Sequence, residues 1–298
     1  MSSFDDLFRQ ENEQPDPRRD QPFDKEAWKQ QKQEQREMVY SMIDDTAEKV
    51  AQGSAAFQGY LDVQSRFDRY SVANALLILA QKPDATRIAD FDTWKEQGAY
   101  IRKNESGFYI LEPGEEYQRD DGTVGIRYNL KKMFDISQTG ARKHEAPTYP
   151  DERTSIKALM DHAPVPIRIS DSLPDGIQAL YKPEAREIQI RKGMDAGNIF
   201  RSLSQELAHA EMDRGDGSYS RSDCTFHAYS ASYILCKQYG VDTGGFRFDR
   251  TPQVLEGMDA QEIRAQLSVI REAAGEISGR MNRVLAQQRQ QKQQEPER

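Results

Sequence analysis

The spacing of apolar residues along the chain predicts helices first and short strands later. A charged stretch begins at Asp24 and gains apolar residues at helical spacing over 38–50, which predicts a long first helix. A second helix is expected over 60–81, where Lys82-Pro83-Asp84 stops it. Residues 1–23 are rich in Asp, Gln, Arg and Pro, so they are expected to be a disordered tail.

The pattern then changes from helical spacing to short extended runs. A short helix at 91–98 is followed by two predicted strands, 107–111 and 124–130, which flank a polar turn rich in Gly and Asp. Residues 24–140 are therefore expected to form a first domain of helices and a β-hairpin. Residues 141–154 carry charges and two prolines, and they are expected to be a linker.

The second half of the chain mixes strands and helices, which predicts an α+β domain over 155–250 and an α+β fold class for the protein. The expected elements are a helix at 155–162, strands at 165–170 and 185–191, and helices at 198–213 and 223–239. A loop rich in Gly, Ser and Asp joins the last two helices.

A final amphipathic helix is predicted over 259–288. Asp259 can cap its start, and Glu262 follows three residues later as in a capping box. Apolar residues then recur every three or four positions at Ile263, Leu267, Ile270, Ala274, Ile277, Met281 and Leu285. We expect this stripe to pack on its own protein. The alternative is an intermolecular coiled coil that would make the chain an interaction scaffold, because periodicity alone does not separate the two.

The composition indicates a polar protein of two domains. The 298 residues correspond to about two domains at roughly 100–200 residues each. The net charge of -8 argues against a duplex-DNA binder that relies on overall phosphate attraction. The chain has no apolar run near the ~18 residues that span a bilayer, and its acidic N-terminus lacks the apolar core of a signal peptide. We therefore expect a cytoplasmic protein without membrane contact.

The two cysteines are not expected to form a disulfide with each other. Cys224 and Cys236 fall on one predicted helix. At about 1.5 Å of rise per residue they would lie about 18 Å apart, whereas a disulfide needs Cα atoms within about 7 Å.

The segment 204–210, with the sequence SQELAHA, carries the most informative chemistry. In zincins the motif H-E-x-x-H places two zinc-binding histidines one helical turn apart, and its glutamate is the general base for a metal-bound water. Glu206 and His209 match that motif, but Gln205 stands at the first ligand position. Because an amide oxygen is a much weaker zinc ligand than imidazole, the segment resembles a zincin motif whose metal site is damaged.

Two interpretations of this segment remain open. Asp223 and His227 lie four residues apart on the next predicted helix, so together with His209 they form a candidate set of two histidines and one carboxylate. With such a set, Glu206 would be the catalytic base of a zinc-dependent metallopeptidase, and Gln205 a weak additional ligand. We favour the other interpretation, a site without a cofactor and a domain that is not an enzyme.

Several motifs of the first domain occur in an order that resembles one known family. They are the helical segment 70–81, the run FDTW at 91–94, the extended runs 107–113 and 124–130, and FDISQT at 134–139. This succession is similar to the N-terminal domain of ArdC-type antirestriction proteins, and the zincin-like segment extends the resemblance to about residue 245. The resemblance implies single-stranded-DNA binding, carriage on a mobile genetic element and interference with host restriction, with a host restriction enzyme or another protein as a further partner.

The residues of the first domain agree in part with DNA binding. Nonspecific single-strand binding needs aromatic faces for base stacking and a cationic track for phosphates. The candidate contacts are Lys131, Lys132, Arg102, Lys103, Arg127, Lys95 and Tyr109. Trp94 and Phe108 are expected in the core instead, because large aromatic side chains are mostly buried. Over 61–140 there are 11 Lys/Arg and 13 Asp/Glu, so a basic surface requires the fold to separate the charges.

Overall fold

The structure, a computed structural model, describes residues 25–119, 121–141 and 148–294. These residues form two compact units, and each unit draws on two separate stretches of chain. The first unit takes the described residues within Met1–Thr46 and Leu76–Lys143, and the second takes those within Ala47–Ala75 and His144–Arg298. Residues 47–75, which the sequence pattern places with the first domain, thus belong to the second unit. The predicted tail at 1–23 lies outside the described residues, as do residues 142–147 of the predicted linker.

Three helices open the described chain: α1 Lys25–Ala51, α2 Ser54–Arg66 and α3 Val72–Gln81. The single helix predicted over 60–81 is therefore wrong, because the chain leaves the helix at Phe67 and re-enters it at Val72. The side-chain nitrogen Nε2 of Gln64 donates to the backbone carbonyls of Phe67 and Tyr70, at 3.0 and 3.3 Å. A buried side chain holds this turn, which hydrophobic spacing does not reveal.

The first unit contains a small antiparallel sheet. Its elements are β1 Ile88–Ala89, α4 Phe91–Glu96, β2 Phe108–Gln118, β3 Val124–Asp135 and a 3₁₀ turn at Ile136–Gln138, and the strand order is β1-β3-β2. Asp90 caps α4 by accepting from the Thr93 amide at 2.7 Å. Trp94 is 1% exposed and packs with Phe134 and Ile136, so it lies in the core as expected.

The hairpin of β2 and β3 is longer than the two predicted strands. Its base is buried at Phe108–Leu111, but farther out both faces of the ribbon are exposed. The pairing register shifts between Pro113 and Glu116. We call this outer part, residues 112–119 and 121–130, the hairpin arm. Its exposed large side chains are Tyr117, Val124, Ile126 and Tyr128.

The second unit combines helices with a mixed sheet. Its further elements are α5 Glu152–Met160, β4 Ile167–Ser170, β5 Ala179–Lys182, β6 Glu187–Arg191, α6 Ala196–Met212, α7 Arg221–Tyr239, α8 Thr251–Val254 and α9 Ala260–Gln294. Strand β6 lies between β4, to which it is parallel, and β5, to which it is antiparallel. β5 and α8 were not predicted. The α+β class is confirmed.

Helix α9 packs within its own unit. It lies against α5, α6 and α7, and the seven apolar residues of its predicted stripe are at most 6% exposed. The stripe is therefore used inside the chain, as expected, and is not available for a coiled coil with another protein. Cys224 and Cys236 both lie on α7 and are free thiols. Within the described ranges, no helix has the length and apolar character needed to cross a membrane.

The start of α9 is fixed by the predicted capping box. The Glu262 amide donates to the Asp259 carboxylate at 2.8 Å, and the Asp259 amide donates to the Glu262 carboxylate at 2.9 Å. Asp259→Ala is expected to lower the free energy of unfolding by about 1 kcal/mol, because it leaves an amide of the first turn without its acceptor. Urea denaturation measures the loss. The exposed Glu256→Ala is the control, and an equal loss in both variants would contradict the role of the cap.

Candidate functional site

Lys131, the first candidate for a phosphate contact, is held by two acids. Its ammonium lies 2.7 Å from the Glu112 carboxylate and 2.9 Å from that of Asp90. Hydrogen bonding to Glu112, and next to Asp90, raises the pKa of Lys131. The lysine stays charged, but two carboxylates already share that charge, so it is a weak contact for a phosphate.

The other predicted contacts of the first unit differ in how they are presented. Lys95 and Lys103 are exposed and Lys132 is half-buried. The Arg102 guanidinium donates to the Ser137 carbonyl and lies 3.3 Å from Glu105. Tyr109 is only 7% exposed, so its ring does not offer a stacking surface.

The hairpin arm supplies the exposed aromatic rings instead. Tyr117 lies on one face of the ribbon, and the Arg127 guanidinium lies 5.4 Å from the centre of its ring. Gly125 pairs with Tyr117, and a Cβ at that glycine would come within 2.7 Å of the ring, so the close packing requires glycine. The opposite face presents Ile126 and Tyr128, two residues apart on β3. Both faces of the arm therefore carry a tyrosine that is open to solvent.

A basic stripe on the first part of α1 was not among the predicted sites. It consists of Lys25, Lys29, Lys32 and Arg36, whose spacing of four, three and four residues places them on one helical face. All four side chains are exposed. The Arg36 guanidinium donates to the backbone carbonyl of Tyr128, so this face of α1 meets β3 of the hairpin arm. The spacing is visible in the sequence, but the contact with the hairpin is not.

The fold also separates charges between the two hairpin strands. The acids Glu112, Glu115 and Glu116 lie on β2, whereas Arg127, Lys131 and Lys132 lie on β3. The basic stripe meets the hairpin at β3, the cationic strand. This is the kind of segregation that the nearly balanced composition of 61–140 requires for a basic surface.

In the second unit, α6 carries the motif residues. Asp195 caps this helix by accepting from the Asn198 amide at 2.8 Å. Glu206 is 4% exposed, and its Oε2 accepts from the Tyr181 amide of β5 at 2.7 Å. The unpredicted strand β5 thus provides a backbone donor to the central carboxylate of the motif.

Arg221, the first residue of α7, occupies both oxygens of Glu206. Its Nη1 lies 2.9 Å from Oε2 and its Nη2 lies 2.7 Å from Oε1, which is a bidentate ion pair. Together with the Tyr181 amide, the guanidinium therefore gives the Glu206 carboxylate three hydrogen-bond donors. Arg221 was not predicted, although a buried glutamate inside a helix needs a cation, and the following loop ends in this arginine.

His209 is fully buried beside this pair. Its Nδ1 lies 3.0 Å from the Tyr219 hydroxyl, and its Nε2 has no hydrogen-bond partner in the described part of the chain. Burial, and next the charge of Arg221, lower the pKa of His209 to about 3, so the imidazole is neutral. Burial raises the pKa of Tyr219 to about 12, so its hydroxyl keeps its proton.

Of the other predicted metal ligands, His227 makes its hydrogen bonds elsewhere. The Nε2 of His227 lies 2.6 Å from the Gln266 amide oxygen, and its Nδ1 lies 3.1 Å from the Asp223 carbonyl. The Asp223 side chain is exposed, and that of Gln205 is half-buried. Among the residues that the structure describes, no three of His, Cys, Asp and Glu form a group that could hold a metal ion. The set of His209, His227 and Asp223 is therefore not brought together.

Comparison with known proteins identifies the first part of the chain. Residues 27–155 match the family described as the N-terminal domain of anti-restriction factor ArdC. The chain thus carries a region that is similar to an ArdC N-terminal domain. It is also similar to the crystal structure of the antirestriction ArdC protein from the R388 plasmid in its Mn(II)-bound form, with a TM-score of 0.54 and 15% identity over 80% of this chain and 98% of that one. At this identity, the likeness shows a shared fold.

Two further proteins are similar to this chain over most of its length. The metal-free structure of the R388 ArdC protein gives a TM-score of 0.44 and 18% identity over 72% of this chain and 84% of that one. An uncharacterised protein of Bacillus anthracis is 24% identical over 75% of this chain. The matched region spans 47% of that protein's length, so this chain corresponds to about half of its curated relative.

Proposed function

We propose that this protein binds single-stranded DNA through its first unit. The observation that carries the proposal is the contact between the basic stripe of α1 and the hairpin arm, made by Arg36 and Tyr128. It joins one end of a row of four exposed cations, of which Lys29 lies 3.3 Å from the Glu26 carboxylate, to a strand with exposed aromatic side chains. Cations and aromatic faces are the combination that sequence-tolerant single-strand binding requires. We further propose that the protein is an accessory of a mobile genetic element with an antirestriction-type role.

The stripe suits a flexible strand better than a rigid duplex. From Lys25 to Arg36 it extends about 16 Å along the helix, at 1.5 Å per residue. Next to it, an unpaired base can stack on the Tyr128 ring, whereas a base within a duplex is not free to do so. Because the whole chain carries a net charge of -8, affinity must come from this local surface and should fall steeply as salt is added.

For the second unit we propose a zincin-like fold without peptidase activity, a pseudoenzyme that serves as a scaffold or docking surface. The R388 ArdC structure is described as Mn(II)-bound, whereas the residues described for this chain include no group of three His, Cys, Asp or Glu that could hold a metal ion. Glu206 is fully engaged by Arg221 and Tyr181, and His227 is engaged by Gln266. We propose that a host protein, such as a restriction enzyme, docks on this surface.

The proposal is tested by fluorescence anisotropy with a labelled single-stranded oligonucleotide and the full chain. Binding is expected at low salt, with log K falling linearly as log salt rises. A matched duplex is expected to bind more weakly, because its bases are not free to stack. An absence of binding to the single strand at low salt would overturn the proposed function.

Two variants separate the cationic and aromatic contributions. Lys29→Ala with Lys32→Ala is expected to reduce the salt slope by about 1.4, because each phosphate that a lysine neutralises contributes about 0.7 to the slope for a single strand. Tyr128→Ala is expected to weaken binding roughly 5- to 150-fold without changing the slope, since stacking contributes about 1–3 kcal/mol per base.

The matched control for the lysine pair is Lys157→Ala with Lys192→Ala, two exposed lysines of the second unit. It removes the same charge from the protein but leaves the stripe intact. If this control lowers the slope as much as the α1 pair does, the cations act through overall charge, and the stripe is not the DNA track.

A further inference from the structure

We infer that Arg221 takes the place of a metal ion as the fixed counter-charge of Glu206, and that it thereby closes the motif site to divalent cations. The inference concerns the second unit alone and does not depend on DNA binding by the first. The site has therefore lost one metal ligand at Gln205 and has also gained a positive charge at Arg221.

The buried carboxylate of Glu206 needs a cation, and Arg221 supplies it. Removing an ionised carboxylate from water is costly unless it is paired and hydrogen-bonded. Glu206 meets both needs through two bonds from the guanidinium and one from the Tyr181 amide. The side chain of Glu206 is 5% exposed and that of Arg221 is 38% exposed, so the arginine reaches inward from the surface to the acid.

The position of Arg221 in its helix supports the same conclusion. It is the first residue of α7, where the helix dipole disfavours a positive charge. Ser220, which precedes it, makes no side-chain capping bond. The local helix therefore gains nothing from an arginine at this position, and the ion pair with Glu206 accounts for its presence.

The same guanidinium also serves the rest of the motif. It interacts with the Tyr219 hydroxyl, and that hydroxyl lies 3.0 Å from Nδ1 of His209. In a zincin-type site, the histidines bind the metal ion and the glutamate faces the metal-bound water, so the metal is the positive charge nearest to the glutamate. Here the Arg221 guanidinium, a cation that belongs to the chain itself, contacts Glu206 directly and His209 through the Tyr219 hydroxyl. A divalent ion at the free Nε2 of His209 would meet this positive charge, and the residue one helical turn earlier, Gln205, is neutral.

A double-mutant cycle on the full chain tests the counter-charge. Arg221→Gln is expected to lower the melting temperature clearly, because it leaves Glu206 buried and unpaired. In the Glu206→Gln background the same substitution is expected to have a much smaller effect, since no charge is left to compensate. Arg221→Lys should recover part of the loss, because it restores the charge without the bidentate geometry.

Arg214→Gln is the control. It lies at an exposed arginine in the loop that precedes α7, and it should leave the melting temperature unchanged. If the effects of Arg221→Gln and Glu206→Gln are simply additive, Arg221 is not the partner that Glu206 depends on, and the inference fails.

Metal binding gives an independent test, with Mn(II) and Zn(II) added separately in equilibrium dialysis. The wild-type chain and Gln205→His alone are expected to bind no stoichiometric ion. Gln205→His combined with Arg221→Gln should bind one, and His209→Ala in that background should remove it. The inference is overturned if wild-type protein binds one ion per chain that His209→Ala abolishes, if Gln205→His alone gains as much metal as the double variant, or if the double variant gains none.

Discussion

Trp94→Ala is expected to destabilise the first unit by about 3–5 kcal/mol, the range observed when a large buried aromatic side chain is truncated. Trp94 is 1% exposed and packs against Ala99, Phe134 and Ile136. Its indole nitrogen also donates to the Phe134 carbonyl at 2.9 Å, so the substitution leaves both a cavity and an unpaired buried acceptor.

Urea denaturation measures this loss when it is monitored by far-ultraviolet circular dichroism, whose signal does not depend on Trp94. The control is Phe91→Ala on the same short helix, whose ring is 53% exposed and whose removal should change stability by less than about 0.5 kcal/mol. If Trp94→Ala weakened oligonucleotide binding while leaving stability unchanged, Trp94 would be a stacking residue and its assignment to the core would be wrong.

Asp135→Ala is expected to lower the free energy of unfolding by about 3 kcal/mol, because it removes one carboxylate that satisfies three partly buried backbone donors. The Asp135 carboxylate accepts from the amides of Thr86, Arg87 and Ser137 at 2.7, 3.0 and 2.8 Å. The Asp135 amide in turn donates to the Gln138 side chain at 2.9 Å. The carboxylate thus joins the end of β3 to the segment that leads into β1.

Acid titration of stability provides a second measurement on Asp135. Burial opposes ionisation, but hydrogen bonds from Ser137, Arg87 and Thr86 outweigh it and hold the pKa of Asp135 below its ordinary value. A carboxyl group with a lowered folded pKa stabilises the protein above its unfolded value of about 3.9, and the contribution is lost as the pH falls through the folded pKa. Wild-type stability should therefore fall more steeply than that of Asp135→Asn below about pH 4. Parallel curves would contradict the role of the ionised carboxylate.

The sequence predicted elements whose signal is local. Helix α9 was placed correctly with its Asp259–Glu262 capping box, because an amphipathic stripe of seven residues and a cap motif are both written in consecutive residues. The motif helix and the helix after it were found for the same reason. The break between α2 and α3 was missed, since a bond from the buried Gln64 side chain determines it.

The candidate sites were harder to predict, because they depend on contacts between distant residues. Glu206 was identified from its motif, but its partner Arg221 lies 15 residues farther along, and its donor Tyr181 lies 25 residues earlier. For the proposed DNA surface, the sequence indicated the cations of β3, but the contact of Arg36 on α1 with the Tyr128 carbonyl of β3 arises only through the fold. Spacing reports which residues share a helical face, and it does not report what that face touches.

The division of the second unit into two stretches of chain has a consequence for its biosynthesis. Helix α2 leaves the ribosome early, with Phe57 to be packed against Phe226 and Phe248, and Asp62 to be bonded to Tyr233. Those partners are translated more than 160 residues later. Until those residues are translated, the apolar side chains of α2 that pack against them remain exposed to solvent in the nascent protein. A fragment that ends near residue 140 would retain that segment permanently and should aggregate.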